Sequence, residues 1–324
     1  MLSAYQTLFG TFLEGLLVKK RPEGLYDPIH YILSLGGKRL RPILTLLAAD
    51  AYGKNPKDAL SAALAVEVFH NFTLLHDDIM DAAPLRRGKP TVHHKWNVNT
   101  GILSGDAMLI QSYQLLESYS DPLFGKLSRQ LSTTALQVCE GQQYDMEFET
   151  QKEVSLEAYL EMIQLKTAVL IGAALKMGAW IGGANDVQAQ ILYDFGVWLG
   201  IAFQIQDDYL DAFGDPESFG KQVGGDIIEN KKTILYHLAL ELGSASDRST
   251  LSNWYAKPTN DSEAKAKIKE VTTIFNTTGA AEATLKQVES FTNKAFEKLE
   301  NATMPSEMKN VFKAFGMDLM QRKY

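Results

Sequence analysis

The sequence is short of cysteine and of long hydrophobic runs. Cys139 is the single cysteine among 324 residues, so no intramolecular disulfide can form and a reducing compartment, the cytoplasm, is expected. The sequence near Cys139 lacks the histidine and asparagine that accompany a catalytic cysteine. We therefore interpret Cys139 as a small buried core residue and not as a nucleophile. No run of about 18 apolar residues occurs, which predicts that the chain has no membrane span.

Positive charge is also scarce. The chain has 32 Lys and Arg against 39 Asp and Glu, a net charge of −7, which argues against general nucleic-acid binding but not against local basic patches. The N-terminal segment lacks a basic start, a long apolar core and a cleavage site, so we expect no signal peptide.

Strand patterns are nearly absent, whereas long segments follow the helical period. Glycine and proline mark the breaks between these segments. We therefore predict an all-α fold, a helical bundle in a single domain over residues 1–324. The predicted helices cover about residues 2–18, 41–52, 57–80, 94–118, 122–148, 155–180, 187–212, 230–242, 247–256, 261–276, 278–300 and 304–320.

The first chemical signal is the acidic end of the helix AVEVFHNFTLLHDDIMD. At 100° per residue, Asp81 lies about 40° and His70 about 20° from Asp77, whereas Asp78 points about 100° aside. Carboxylates four residues apart repel each other, and a helix C-terminus disfavours negative charge. A hard divalent cation would offset both effects. The alternative is a solvated acidic helix end.

The segment FGVWLGIAFQIQDDYLDAFGD repeats this arrangement. Asp207 and Asp211 are four residues apart, Asp208 is adjacent, and Gln204 lies one turn before. Two such helices facing each other would form a pocket of carboxylates that is unstable without cations. Because Mg²⁺ binds carboxylates together with substrate phosphates, the implied ligand is a phosphate or diphosphate.

Basic side chains accompany the acidic motifs, and arginine and lysine both bind phosphate oxygens. Singly, each could be surface decoration, but a lysine inside an apolar helix needs an anion. The set comprises Lys38, Arg39 and Arg41 in GGKRLRP, Arg86 and Arg87 in RRGKP, Lys166 beside Thr167 in QLKTAVL, and Lys221, Lys231 and Lys232 around Asp226 in GKQVGGDIIENKKT.

Taken in order, GGKRLRP, DDIMD, RRGKPT, GQQYD, KT, FQIQDDYLD and GGDIIENKKT resemble the motifs of the trans-isoprenyl diphosphate synthases, over about residues 36–233. The resemblance implies helices around a deep central cavity and a homodimer. It also implies Mg²⁺-dependent, head-to-tail condensation of isopentenyl diphosphate with an allylic diphosphate.

The resemblance also implies roles for individual residues. About three Mg²⁺ ions would be bound by Asp77, Asp81, Asp207, Asp208, Asp211 and Asp226. The allylic diphosphate would be held by Arg86, Lys166 and Lys231, and the isopentenyl diphosphate by Lys38, Arg41, His70 and Arg87, with Lys221 also binding substrate. Thr167 and Gln204 would shield the carbocation, and Gln142 and Asp145 match a position near the site.

Product length is expected to depend on Phe69, Phe72 and Thr73, which precede Asp77 by eight, five and four residues. The family pattern favours Phe72 as the floor of the product cavity, whereas helical geometry favours Phe69, about 80° from Asp77 against about 140° for Phe72. The pattern is typical of a geranylgeranyl (C20) or farnesyl (C15) product.

Three other functions remain open: a class I terpene cyclase, a non-catalytic regulatory subunit and a structural helical scaffold. The second DDxxD motif and the isopentenyl-side set disfavour the cyclase. The presence of both acidic motifs disfavours the regulatory subunit.

Overall fold

The computed structural model describes residues 2–18, 20–214 and 223–321, and the predicted substrate-binding residue Lys221 lies outside them. These residues are almost wholly helical, which confirms the all-α prediction. The helices are α1 Leu2–Leu16, α2 Glu23–Ser34, α3 Leu40–Ala51, α4 Leu60–Met80, α5 Val92–Lys95, α6 Val98–Gln114, α7 Leu123–Thr150, α8 Leu156–Ile163, α9 Val169–Gly182, α10 Asp186–Phe213, α11 Gly225–Ile228, α12 Ile234–Leu242, α13 Ala245–Tyr255, α14 Asp261–Thr277, α15 Ala280–Glu300 and α16 Ser306–Met320.

Shorter elements complete this description. In the described part of the chain, the strands are β1 Leu85–Arg86 and β2 Lys89–Pro90, which pair antiparallel. Pro56–Ala59 and Leu115–Ser118 are 3₁₀ turns, and Gln164–Ala168 is a π-helical turn between α8 and α9.

The sequence-based prediction missed α2 and misplaced several boundaries. Pro28 lies inside α2, and proline normally ends or kinks a helix. The helix expected over 94–118 is divided, since the Asn97 side chain caps a new helix by accepting from the Thr100 amide at 2.8 Å. The helix expected from residue 230 begins at Ile234, because Asn230 is left-handed with φ 62°.

The first compact unit comprises Met1–Thr134, Leu170–Tyr193 and Ala302–Pro305. Helix α4 is its central element and contacts α1, α2, α3 and α6. The helix is apolar on most sides, and Phe69 is fully buried within it. Burial of this helix fixes the position of the aspartates at its C-terminal end.

The second compact unit comprises Ala135–Val169, Asp194–Asn301 and Ser306–Tyr324. Its core includes Tyr159, Ile205, Leu235, Phe275 and Phe291. Helix α12 packs against α13 and α15. The acidic end of α10 therefore starts from a tightly packed apolar core, as the apolar lead-in to DDYLD predicts.

One described stretch, Leu156–Gly182, is long and apolar enough by length and composition to cross a membrane. Within its most apolar window, 61% of the residues are buried inside the protein, which is also typical of a core helix. Lys166 and Lys176 interrupt this stretch, so it contains no uninterrupted apolar run of about 18 residues.

Candidate active site

The first acidic motif is braced by Arg86 at the end of α4. Asp78 is buried, and its Oδ1 accepts a hydrogen bond from Arg86 Nε at 2.8 Å. The second Arg86 nitrogen, Nη2, lies 2.7 Å from the same oxygen and 3.4 Å from Asp77 Oδ2. Asp78, which helical geometry placed to one side, is therefore the main partner of Arg86.

The charges of Arg86 and of the aspartates at this helix end stabilise each other. Burial raises the pKa of Asp78, although Arg86 opposes the rise. Burial also tends to lower the pKa of Arg86, but the carboxylates of Asp78, Asp77 and Asp81 raise it above its ordinary value. The guanidinium of Arg86 thus stays charged next to three carboxylates, which are oxygen donors of the kind that hard cations prefer.

Arg86 and Arg87 separate because they lie on a two-residue hairpin. The turn residues Arg87 and Gly88 both have positive φ, 54° and 72°, as a type I′ turn requires. Arg87 donates a hydrogen bond to the Gly36 carbonyl, whereas Arg86 donates to Asp78. Gly37 beside this guanidinium has φ 116°, a backbone conformation that other residues adopt only with strain.

The GGKRLRP segment divides its basic residues between two tasks. Arg39 forms an ion pair with buried Glu67 and donates to the Leu33 carbonyl. Arg39 therefore holds the loop in place, and its grouping with the anion-binding residues stays a prediction. Lys38 is exposed in the same loop.

Arg41 and His70 meet at 3.1 Å between Nη1 and Nε2. Burial lowers the pKa of His70 well below its ordinary value, and the charges of Arg41 and Arg87 add to this effect. His70 is therefore neutral. Because a guanidinium can only donate, His70 Nε2 accepts from Arg41 and fixes the direction of its side chain.

The second unit contains a cavity of about 110 Å³ that collects most of the residues predicted downstream of Gln142. The predicted residues that line it are Asp145, Lys166, Thr167, Gln204, Asp208, Asp226, Lys231 and Lys232. We call it the second-unit cavity. Lysines and carboxylates together on a small enclosed surface are suited to binding a charged ligand.

A chain of hydrogen bonds runs along one wall of the second-unit cavity. Thr167 Oγ1 donates to Gln204 Oε1 at 3.0 Å, and Gln204 Nε2 donates to Asp208 Oδ1 at 2.9 Å. The Tyr159 hydroxyl donates to Asp208 Oδ2. Burial raises the pKa of Asp208 well above its ordinary value, and the Asp226 carboxylate raises it further. Carboxylates crowded in this way favour a bound cation.

The π-helical turn places Lys166 against α7. A Cβ on Gly141 would lie 2.7 Å from Lys166 Cα, so the missing side chain lets the two backbones approach closely. One turn further along α7, Asp145 Oδ2 lies 2.5 Å from Lys166 Nζ. The carboxylate of Asp145 is therefore the anion that the half-buried Lys166 needs.

Asp211 supports the segment that follows the second motif. Its Oδ2 accepts from the Asp226 amide at 3.0 Å, and its carbonyl accepts from the Gly224 amide at 2.7 Å. Asp211 is 8% exposed. One of its carboxylate oxygens thus holds the start of α11, a structural role that the spacing in DDYLD did not indicate.

Lys231 follows α11 and lies 3.0 Å from Glu229 Oε2 and 3.9 Å from Asp226 Oδ1. Burial tends to lower the pKa of Lys231, but Asp226, Asp145 and Glu229 raise it above its ordinary value. Lys231 therefore remains a cation at the cavity wall.

Two titratable residues that line the cavity were missed by sequence reasoning: Glu149 and Tyr159. Glu149 lies one turn after Asp145, and Tyr159 lies seven residues before Lys166, so helical periodicity could have indicated both. The interpretation of Cys139 was wrong in one respect, since the residue is exposed. Desolvation and Glu140 raise the pKa of its thiol, which argues against a nucleophile.

The candidate floor residues differ in their contacts. Phe72 packs edge-on against His76 with ring centroids 4.8 Å apart, and His76 Nε2 lies 3.2 Å from the Ile102 carbonyl on α6. Phe72 is thus turned towards α6. Phe69 lies 5.6 Å from the Phe72 ring, and Thr73 Oγ1 donates to the His70 carbonyl at 2.8 Å.

Among the described residues, no group of three or more His, Cys, Asp and Glu side chains is gathered closely enough to hold a metal ion by itself. The oxygen donors still fit Mg²⁺, which typically takes one or two protein carboxylates and completes its shell with water and phosphate oxygens. The crowded carboxylates around Asp208 are the observation that supports this fit.

An all-α fold with two acidic motifs, each accompanied by basic residues, is typical of prenyltransferases. The polyprenyl synthetase family model matches residues 22–273. The chain belongs to the polyprenyl synthetase family.

Similar proteins support this assignment. The geranylgeranyl diphosphate synthase of Methanosarcina mazei is 45% identical over 237 residues, 72% of this chain and 73% of that protein. Component 2 of the heptaprenyl diphosphate synthase of Bacillus subtilis is 34% identical over 275 residues, 85% of this chain and 76% of that protein. A solved geranylgeranyl pyrophosphate synthase is 52% identical with a TM-score of 0.96 and covers 100% of this chain and 99% of its own.

Proposed function

We propose that the protein condenses isopentenyl diphosphate with an allylic diphosphate, head to tail, to give a short all-trans prenyl diphosphate, chiefly geranylgeranyl diphosphate. The observation that carries this proposal is the second-unit cavity, where Lys166 and Lys231 meet Asp208 and Asp226. The relatives described as geranylgeranyl diphosphate synthases support the C20 length.

The reaction begins when the C–O bond of the allylic diphosphate breaks and negative charge collects on the departing diphosphate. Arg86, Lys166 and Lys231 are assigned to hold this group, since fixed cations in a water-poor site stabilise a developing anion. Lys231 is suited to this task because its neighbouring carboxylates keep it charged.

About three Mg²⁺ ions, when bound by Asp77, Asp81, Asp207, Asp208 and Asp226, supply further positive charge to the diphosphate. Asp211 is assigned chiefly to support the Asp226 segment, because its carboxylate accepts the Asp226 amide.

Lys38, Arg41, His70 and Arg87 are assigned to the isopentenyl diphosphate. Neutral His70 orients Arg41 through the 3.1 Å contact, and the hairpin separates Arg87 from Arg86. This arrangement gives the second diphosphate its own set of cations, distinct from those on the leaving group.

Thr167 and Gln204 are assigned to face the allylic cation. Their mutual hydrogen bond of 3.0 Å fixes both oxygens, and fixed dipoles stabilise a cation without exposing it to water. After the alkene attacks, the proton that leaves is taken by the released diphosphate, so no protein base is assigned.

The length of the product is assigned to the side of α4 that bears Phe69 and Thr73. Phe72 is packed against His76 towards α6, which supports Phe69 as the residue that stops chain growth.

Incubation with Mg²⁺, isopentenyl diphosphate and either dimethylallyl, geranyl or farnesyl diphosphate tests the function. Elongation of all three primers to C20 supports the proposal. A cyclised hydrocarbon would indicate a terpene cyclase, and absence of turnover would indicate a regulatory subunit or a scaffold. Asp77→Asn and Asp207→Asn serve as controls, since each should slow elongation roughly 10²–10³-fold.

We also propose a homodimer in the cytoplasm. Leu103 and Ile110 on α6 are 61% and 60% exposed and lie seven residues apart on one helix face, which supports an apolar contact with a second copy. Light scattering after size-exclusion chromatography measures the assembly, and a monomer with full activity would contradict it.

A further inference from the structure

Lys267, on α14, is a fully buried lysine outside the recognisable motifs. Its Nζ donates to Asn230 Oδ1 and, at 2.9 Å, to Thr259 Oγ1. The ammonium group also lies 5.0 Å from the centre of the Tyr255 ring. Burying a charged lysine costs folding free energy, so such a residue is normally held by specific partners.

The two acceptors of Lys267 belong to two different loops. Each acceptor side chain also donates a hydrogen bond to a backbone carbonyl beside the other acceptor. Asn230 follows α11, and its Nδ2 donates to the Lys257 carbonyl at 3.0 Å. Thr259 lies between α13 and α14, and its Oγ1 donates to the Ile228 carbonyl at 2.9 Å. Lys267 is therefore the common donor of a clasp made of Lys267, Asn230 and Thr259.

Helix α14 touches both ends of the same short segment. A Cβ on Gly224, which has φ 84°, would lie 2.8 Å from the Ile268 side chain. Asn230, at the other end, has φ 62° and contacts Lys267. The segment between these left-handed residues carries Asp226, and Lys231 follows it directly; both line the second-unit cavity.

We propose that Lys267 is a positioning residue, which clasps the loops after α11 and α13 so that Asp226 and Lys231 are held at the cavity wall. It touches neither substrate nor metal in this role. The proposal deepens the function proposed above and rests on it for the identity of the ligand, a diphosphate.

Hydrogen exchange tests the clasp without any ligand. In Lys267→Met, amides of residues 224–233 should exchange roughly tenfold faster than in the wild type, while α12 and α15 keep their protection. Lys269→Met is the matched control, because it removes an exposed lysine from the same helix and should change nothing. Unchanged exchange at 224–233, or equal acceleration throughout the unit, overturns the proposal.

Asn230→Gly provides a second route to the same test. Glycine retains the positive φ at residue 230 but removes one of the two acceptors of Lys267. The same local acceleration is expected, and if Lys267→Met fails to fold, unchanged exchange in Asn230→Gly overturns the proposal.

Titration calorimetry with Mg²⁺ and inorganic diphosphate then connects the clasp to the site. The dissociation constant should rise roughly tenfold in Lys267→Met, and the KM for the allylic substrate should rise more than that for isopentenyl diphosphate. Unaltered binding in a variant with loosened loops overturns the positioning role. Failure of the wild type to bind diphosphate would instead overturn the proposed function, while the exchange result still decides the clasp.

Discussion

Arg86 Nε lies 2.8 Å from Asp78 Oδ1, whereas the contact of Arg86 with Asp77 Oδ2 is 3.4 Å. The middle aspartate of the first motif is thus committed to a neighbouring arginine. The first and last aspartates of the motif are assigned to the proposed metal ions. Adjacent residues of identical type consequently have different roles.

This division predicts different effects for two amide substitutions: Asp78→Asn should affect stability, and Asp77→Asn should affect activity. Asp78→Asn should lower the free energy of unfolding by about 1–3 kcal/mol, because Arg86 loses its charged partner in a buried position. Asp77→Asn should leave unfolding almost unchanged and reduce kcat roughly 10²–10³-fold. Urea unfolding and steady-state kinetics of both variants measure these effects. A larger stability loss in Asp77→Asn would contradict the assignment.

The hydroxyl of Tyr159 predicts a change in the requirement for magnesium. Tyr159→Phe removes one of the two donors that orient Asp208, so the Mg²⁺ concentration for half-maximal activity should rise about tenfold. Tyr236→Phe is the control, since Tyr236 lies in the same core and stacks on Tyr255. Equal Mg²⁺ dependence in the two variants would show that the Tyr159 hydroxyl plays no part in magnesium binding.

The contacts of Phe69 and Phe72 predict different products. Phe69→Ala should yield chains longer than C20, because it removes a buried ring on the side of α4 nearer to Asp77. Phe72→Ala should keep the product length and lower stability by about 3–5 kcal/mol, the usual loss for a buried phenylalanine. Chromatography of the dephosphorylated products distinguishes the two variants, whereas thermal unfolding should show a loss in both, because Phe69 is buried as well. Longer products from Phe72→Ala alone would reverse the assignment.

Lys267 predicts a rise of stability with pH. Burial lowers its pKa from 10.5 to about 8 in the folded protein, so between pH 8 and 10.5 the unfolded chain binds more protons. The contribution of Lys267 to the free energy of unfolding therefore rises through this window, by up to about 3 kcal/mol. Urea unfolding of the wild type, Lys269→Met and Lys267→Met at pH 7 and pH 10 measures this contribution as a difference between the proteins.

Lys267→Met should lack this increment. The difference between the variant and the wild type isolates Lys267, because the other lysines and tyrosines titrate in both proteins. A difference that does not vary with pH would show that Lys267 stays charged when buried.

Much of the fold follows from local patterns. The apolar runs that lead into DDIMD and DDYLD predict buried helices, and α4 and α10 confirm them. Helix α2 was missed since Pro28 is a helix breaker in most settings. The hairpin at Arg86 and Arg87 was missed because two-residue strands carry no alternation.

The parts of the site that could not be predicted depend on tertiary contacts. Arg39 and Arg41 are the same residue type two positions apart, and only the packing of α3 on α4 pairs the first with Glu67 and the second with His70. Tyr159 and Asp208 are 49 residues apart. No spacing rule connects Lys267 with Asn230 either, since they belong to different elements.

The absent side chain at Gly141 has a consequence for redesign of this enzyme. Any larger residue there would push the π-helical turn away from α7 and carry Lys166 off Asp145. Libraries aimed at new product lengths should therefore keep glycine at this position. A screen that measures only turnover would not distinguish the loss of this helix contact from the loss of a catalytic group.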